Sequence, residues 1–180
     1  MKRGEFLKRR IDRYLFKEQL LKNQDYTKLE KPFLTKSRKN FAVANLLFNI
    51  SEKDELKKSL NLAYGFETFE WVIIVSYYSM YASALAALAK LGLKSKSHAA
   101  TIAILEYHYV RNGKALEARH IQKLSKAYSI SEELITKLIE TKTKRETAQY
   151  DATPAISREN AKIALEDADE FITKIEEVLG

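Results

Sequence analysis

The sequence predicts an all-α protein with the architecture of an up-and-down helical bundle. Only five Gly and two Pro occur among 180 residues, which leaves little turn-forming sequence for a β-sandwich or barrel. Apolar residues make up 46% of the chain, enough for a packed core, and along most of the chain they recur every three or four residues. The length fits a single domain. Because cysteine is absent, disulfides and Cys-ligated metal sites are excluded, and we expect a cytoplasmic protein.

The first predicted element is a basic amphipathic helix that precedes the bundle. Residues 1–40 have a net charge of +8, whereas residues 41–180 have a net charge of −1. We therefore predict a helical extension at residues 1–30 and a bundle domain at residues 31–180. We interpret the extension as a helix packed on the bundle with a solvated basic face. Binding of a polyanion such as RNA and contact with an anionic membrane surface are the alternatives. Its apolar residues at helical spacing are Leu7, Ile11, Tyr14, Leu15 and Leu21.

Two further helices are predicted before the middle of the chain. Pro32 suits the first turn of a helix that continues to about Ile50. Ser51, followed by Asp54 and Glu55, matches an N-cap with acids in the first turn, so we expect another helix from Ser51 to about residue 64. The inner stripe of the first of these helices is Phe41, Ala44, Leu47 and Phe48.

The most apolar segment predicts the central helix of the bundle. Residues 71–89 contain no formal charge and are long enough to span a membrane. They also contain several serines and tyrosines and stand alone in a chain of negative mean hydropathy. A helix that is apolar on all sides is equally typical of a bundle core, so we expect no membrane association.

The next helices are predicted from their caps. Ser97 is the expected N-cap of a helix that ends at Gly113. A segment over residues 116–128 follows, and Ser129 with Glu132 has the capping-box spacing that opens a new helix.

The last helix has the clearest pattern. Pro154 ends the preceding segment and Ser157 is the expected N-cap. The apolar stripe is Ala161, Ala164, Leu165, Ala168, Ile172, Ile175 and Leu179.

The sequence contains few motifs that carry chemistry. His98, His108 and His120 match no metal-ligand spacing, and every glycine is isolated, so we expect neither a metal site nor a phosphate-binding loop, and no cofactor. Arg145 is unusual because it continues the inner register of Leu134 and its helix. An inward arginine is costly unless it is ion-paired or binds an anion, and both interpretations remain open from the residues alone.

Three short patches resemble one known family. They are Ser76-Tyr77-Tyr78-Ser79-Met80-Tyr81, Lys96-Ser97-His98 and Arg145-Glu146-Thr147-Ala148-Gln149-Tyr150-Asp151. Together they are similar to the HEPN domain, a helical-bundle family named for nucleotide binding. The resemblance covers about residues 37–179 and implies a four-helix core, with the N-terminal helix and short helices as additions.

The resemblance implies function as well as fold. Many HEPN proteins are metal-independent ribonucleases, often dimeric toxins of toxin–antitoxin pairs, with an Arg-x4-6-His motif and a small nucleotidyltransferase as partner. Here Arg145 matches the arginine, but Tyr150 stands where the histidine would be, and a tyrosine is a poor general base at neutral pH.

Nucleotide or RNA binding is therefore the expected function, in a homodimer that works with a nucleotidyltransferase. The expected site consists of Arg145, Tyr150, Asp151 and His98, with Arg145 and Tyr150 as the catalytic candidates if RNA is cleaved. An RNA-cleaving toxin and a non-catalytic interaction bundle are the alternatives.

Overall fold

The computed structural model of the chain describes residues 3–113, 115–145 and 157–180, with side chains except at residue 3 and residues 137–145. A 3₁₀ helix at Gln24–Leu29 precedes the second α-helix, and a π-helical segment at Leu105–Asn112 continues the fifth. The all-α prediction is confirmed, since the strands form only a small two-stranded sheet. The elements are α1 (Arg3–Phe16), β1 (Leu20–Lys22), α2 (Glu30–Glu52), α3 (Asp54–Ser59), α4 (Phe69–Lys90), β2 (Leu93–Ser95), α5 (His98–Ile104), α6 (Ala118–Arg145) and α7 (Arg158–Leu179).

Helix α4 is the centre of the bundle, as its composition predicts. It packs against α2, α6 and α7. Within the described residues it is the helix that is long and apolar enough to cross a membrane, and 78% of its most apolar window is buried inside the protein. Most of its apolar surface is therefore covered by neighbouring helices. Small buried residues allow the close approach: Ser79, Ala82, Ser83, Ala86 and Ala87.

Two serines form reciprocal hydrogen bonds between α2 and α4. The Ser37 hydroxyl donates to the Ser79 carbonyl at 2.9 Å, and the Ser79 hydroxyl donates to the Ser37 carbonyl at 2.7 Å. Both residues are fully buried. A larger side chain at either position would separate the two helices.

Helix α1 packs on the bundle through its apolar face. Leu7 and Ile11 are buried, and α1 contacts α5 and the π-helical segment. The prediction that Leu21 continues the helical stripe is wrong, because α1 ends at Phe16 and Leu21 belongs to β1. Glu18, in the left-handed region with φ of 52°, ends the helix in a Schellman arrangement.

The strand β1 then pairs with β2 in antiparallel register. Leu20 lies opposite Ser95, and Leu21 lies opposite Lys94. Leu20 is buried in the same core cluster as Ile11. The segment that follows α1 is thus anchored to the turn region after α4.

The predicted cap at Ser51 is wrong. Helix α2 continues to Glu52, and α3 begins at Asp54 and ends at Ser59, well before residue 64. The Ser51 hydroxyl donates to the Leu47 carbonyl and accepts from the Thr68 backbone N–H at 2.9 Å, just before α4. The serine therefore stabilises the start of α4 instead of a helix of its own.

The predicted helix start at Ser129 is also wrong. Helix α6 is continuous from Ala118 to Arg145, and the Ser129 hydroxyl donates to the Ser125 carbonyl one turn earlier. Leu124, Ser131 and Leu134 are buried on both sides of the expected break. Packing against the bundle keeps the helix continuous, despite a local capping pattern.

The caps at Ser97 and Ser157 are confirmed. The Ser97 hydroxyl accepts from the Ala100 N–H, and the Ser157 hydroxyl accepts from the Asn160 N–H, each at 3.2 Å. The predicted inner stripe of α7 is buried apart from the half-buried Ala164.

Candidate functional site

The structure describes only part of the expected site. Arg145 is the last residue of α6. Its side chain lies outside the described residues, as do Tyr150 and Asp151. His98 is the expected site residue whose side chain is described, and it opens α5.

The register between α6 and α7 locates the backbone of Arg145. Lys123 of α6 forms ion pairs with Asp167 and Glu170 of α7, both at 2.6 Å. The helices run antiparallel, so the start of α7 at Arg158 lies beside about residue 135 of α6. At about 1.5 Å per residue, the end of α6 lies roughly 15 Å beyond the start of α7. The ion pair of Arg158 with Glu52 joins the start of α7 to the end of α2 and so marks this end of the bundle. The backbone of Arg145 lies beyond that end.

His98 forms the centre of an aromatic cluster. Its ring stacks on Tyr128 with a centroid distance of 3.9 Å and an angle of 11°. Tyr77 and Tyr81 of α4 lie at 6.0 and 5.7 Å from the same ring. Two of the three patches that resemble the HEPN domain therefore meet in space, although 14 residues separate them along the chain. Tyr128 completes the cluster but was not among the expected site residues. Its position four residues after the buried Leu124 indicates that it lies on the inner face of α6.

The charge state of this cluster does not suit phosphate binding. Burial lowers the pKa of His98 to about 4, so the ring is neutral at pH 7. Both ring nitrogens are buried and have no hydrogen-bond partner among the described residues. Burial raises the pKa of Tyr77 well above its ordinary value, so Tyr77 is also uncharged. The cluster can pack or stack but supplies no positive charge.

His98 and Arg145 are not brought together within one chain. Tyr128, which stacks on His98, precedes Arg145 on α6, and at about 1.5 Å per residue the two positions are roughly 26 Å apart. His120 is farther still, at the opposite end of α6. Its Nδ1 accepts the backbone N–H of Glu117 at 3.0 Å, which gives it a role at the start of α6. Within one chain, the fold therefore does not return His120 to the arginine.

The described residues show no metal-binding cluster. Among residues 3–113, 115–145 and 157–180, no group of three His, Cys, Asp or Glu side chains is arranged to hold a metal ion.

A basic surface with an exposed aromatic residue begins on α1. Arg9, Arg13 and Lys17 are exposed and four residues apart, and the Lys17 N–H donates to the Arg13 carbonyl, so they lie on one helical face. Glu5 precedes them on that face. Phe16 is 89% exposed, the most exposed of the large hydrophobic residues described. The basic charge of this segment is evident in the sequence, but the exposure of Phe16 is not, because sequence alone does not distinguish an exposed phenylalanine from a core residue.

The strand pair adds further cations to this surface. The Lys96 N–H donates to the Gln19 carbonyl at 2.8 Å, which brings β2 beside the segment after α1. Lys94 and Lys96 are exposed, and Lys94 lies 5.8 Å from the ring of Tyr26. We call Arg9, Arg13, Phe16, Lys17, Lys94 and Lys96 the basic surface. None of its cations has an ion-pair partner among the described residues.

Comparison with known proteins gives one family. The model of the HEPN domain matches residues 44–178, from the middle of α2 to the end of α7. This range agrees with the resemblance at about residues 37–179. The match leaves out Arg9, Arg13, Phe16 and Lys17 of the basic surface and includes Lys94 and Lys96. A search of the curated proteins found no match to the chain.

Proposed function

Because the chain belongs to the HEPN domain family, we propose that it binds RNA or a nucleotide. The family model covers the bundle from α2 to α7, and HEPN domains are associated with nucleotide- and RNA-related functions. Single-stranded RNA is the ligand that fits the surface chemistry best. The exposed Phe16 between Arg13 and Lys17 is the observation that carries this proposal.

An exposed aromatic ring beside unpaired cations suits single strands. Every base has a face that stacks on an aromatic ring, and Lys and Arg attract the phosphates that connect the bases. A phenylalanine that is 89% exposed gains nothing from packing within the chain. Arg13 and Lys17 flank it with charge, and Lys94 and Lys96 extend that charge across the strand pair.

Arg145, Tyr150 and Asp151 are proposed as a second phosphate contact. A guanidinium group binds phosphate oxygens through paired hydrogen bonds, which a tyrosine hydroxyl beside it would supplement. The position of the Arg145 backbone at the end of α6, beyond the start of α7, supports this role, because the arginine then lies outside the packed core of the bundle. Without a histidine beside the arginine, we expect weak RNA cleavage or none.

We also propose that the protein works as a homodimer with a nucleotidyltransferase as partner. The outer face of α4 supports the dimer: Trp71 is 50% exposed and Tyr78 is 44% exposed, with the half-buried Val75 between them. These residues lie on one face of the helix, and exposed aromatic patches commonly mark protein interfaces. Sedimentation at several concentrations tests the dimer, and a monomer throughout would contradict it.

The test of RNA binding replaces Phe16 by alanine. We expect the affinity for a fluorescently labelled single-stranded RNA to fall about tenfold, since stacking contributes about 1–3 kcal/mol per base. Tyr64→Ala is the matched control, because Tyr64 is also highly exposed but lies in the segment before α4. Equal effects of the two substitutions, or no effect of Phe16→Ala, would contradict a specific role for Phe16.

Arg145→Ala separates binding from cleavage. We expect weaker RNA binding at unchanged thermal stability. Robust metal-free RNA cleavage by the wild type that Arg145→Ala abolishes would instead show the ribonuclease alternative. No change in RNA binding together with lower thermal stability would show an ion-paired structural arginine.

A further inference from the structure

A cavity of about 200 Å³ lies between α4, α6 and α7. The cavity is lined by two small residues, Ala127 of α6 and Ala164 of α7, whose side chains leave space between the helices. The cavity is smaller than the roughly 300–1,000 Å³ that enclose a whole drug-sized ligand, so it has room for one ring system. The lining residues are Ile73, Ser76, Tyr77, Lys126, Ala127, Ile130, Asn160, Ile163, Ala164 and Asp167.

Ser76 supplies a polar group without a partner. It is 1% exposed, and its hydroxyl makes no hydrogen bond within the described chain. The other buried serines of α4 are satisfied: Ser79 donates to Ser37, and Ser83 donates to the Met80 carbonyl. A buried hydroxyl without a partner is costly, and a ligand in the cavity would supply the missing bond.

The walls of the cavity are largely apolar. Ile73, Ile130 and Ile163 come from three different helices, and Tyr77 adds an aromatic ring. Tyr77 is held by its neighbours, with Tyr81 stacked at 5.8 Å and Tyr128 at 5.7 Å. Walls of this kind suit a planar heterocycle.

The polar groups that line the cavity differ in whether they are free to contact a ligand. Asp167 is held in an ion pair by Lys123, which also pairs with Glu170. Lys126 is exposed and has no ion-pair partner among the residues described. The side-chain amide of Asn160, which has no hydrogen bond in the described structure, offers a donor and an acceptor together. A planar ring with an anionic substituent would match Ser76 and Asn160 at the ring and Lys126 at the anion.

We propose that this cavity binds a purine mononucleotide, with the base between α4, α6 and α7 and the phosphate on Lys126. An amide side chain pairs well with the edge of adenine, which makes adenine the preferred base. The choice of a nucleotide among planar anions rests on the proposed function. The site is separate from the basic surface and from Arg145.

The test is calorimetric titration with AMP, with adenosine and ribose 5-phosphate as partial ligands. We expect AMP to bind, adenosine to bind more weakly because it lacks the phosphate, and ribose 5-phosphate not to bind because it lacks the base. Failure of AMP to bind at millimolar concentration, or equal binding of AMP and ribose 5-phosphate, would overturn the proposal.

Single substitutions test which residues contact the phosphate and which contact the base of the ligand. Lys126→Ala is expected to weaken AMP binding about fivefold and leave adenosine unchanged. Lys162→Ala is the matched control, since Lys162 is exposed on α7 and pairs with Glu166 outside the lining. AMP affinity that is the same in both variants as in the wild type would refute the role of Lys126.

Ser76→Ala tests the base end without disturbing the fold. Since the hydroxyl has no partner in the described chain, we expect thermal stability to be kept or raised, while the affinities for AMP and adenosine fall about three- to tenfold. Ala164→Leu fills the cavity and is expected to abolish binding of both. Unchanged affinity in both variants would overturn the proposal.

The outcomes separate this site from the proposed RNA binding. Phe16→Ala should leave AMP binding intact, and Ala164→Leu should leave RNA binding to the basic surface intact. Loss of RNA binding in Phe16→Ala with no AMP binding by the wild type would reject the cavity alone. AMP binding in a protein that fails to bind RNA would reject the basic surface alone.

Discussion

The salt dependence of RNA binding is the most direct quantitative test of the basic surface. Deleting residues 1–30 is unsuitable, because Leu7, Ile11 and Leu20 are buried and their loss would open the core. Charge substitutions at exposed positions avoid this problem. Four of the exposed cations of the basic surface are suitable: Arg9, Arg13, Lys17 and Lys96. We therefore consider a variant in which all four are replaced by glutamine.

The size of the effect follows from the number of charges removed. Each phosphate neutralised on a single strand contributes about 0.7 to the slope of log affinity against log salt. Four lost contacts therefore lower the slope by about 3. Between about 50 and 200 mM salt, the affinity of the wild type should fall roughly 50-fold more than that of the variant.

Fluorescence anisotropy with a labelled single-stranded RNA measures this slope. The matched control replaces four other exposed lysines by glutamine: Lys36 and Lys39 on α2, Lys53 between α2 and α3, and Lys58 on α3. None of the four has an ion-pair partner among the described residues. We expect the control to keep most of the wild-type slope. An unchanged slope in the first variant, or an equal decrease in both, would refute the assignment of RNA binding to this surface.

Two further predictions concern the aromatic cluster and the closest helix contact. The pKa of His98 is lowered to about 4 by burial, so between about pH 4 and pH 6.5 the unfolded chain binds a proton that the folded chain does not. The free energy of unfolding should therefore decrease as the pH is lowered from about 6.5 to about 4. Urea unfolding of wild type and His98→Gln should show this part of the pH dependence only in the wild type; parallel curves would contradict it. Ser79→Val should lower the free energy of unfolding by about 2–3 kcal/mol through overpacking against α2, and Ser79→Ala by only about 1 kcal/mol through loss of its hydrogen bond to Ser37. Equal losses in urea unfolding would show that close packing is not what limits this position.

The fold could be predicted in large part because its helices carry their patterns locally. The uncharged run at residues 71–89 corresponds to α4 (Phe69–Lys90), and the stripe after Ser157 corresponds to the buried face of α7. Both features depend on periodicity within one helix, which the sequence displays directly.

Cap predictions succeeded or failed according to tertiary packing. Ser97 and Ser157 cap helices that start at the surface, whereas Ser51 and Ser129 lie inside helices whose buried residues continue past them. A capping serine contributes about 1 kcal/mol, which packing of a long helix face exceeds. A local capping pattern therefore does not start a new helix where the buried face of a longer helix continues through it.

The candidate sites divide in the same way. Sequence by itself determined the basic charge near the N-terminus, the missing histidine after Arg145 and the resemblance of the tyrosine patch to the HEPN domain, because each is a property of neighbouring residues. Only the tertiary structure decided that Tyr77, Tyr81, His98 and Tyr128 form one cluster and that Phe16 faces solvent. It also decided that the Ser76 hydroxyl lines a cavity and has no hydrogen-bond partner among the described residues. These features depend on distances between α1, α4, α5, α6 and α7, and such distances are fixed by how complete helices pack, which no short stretch of sequence records.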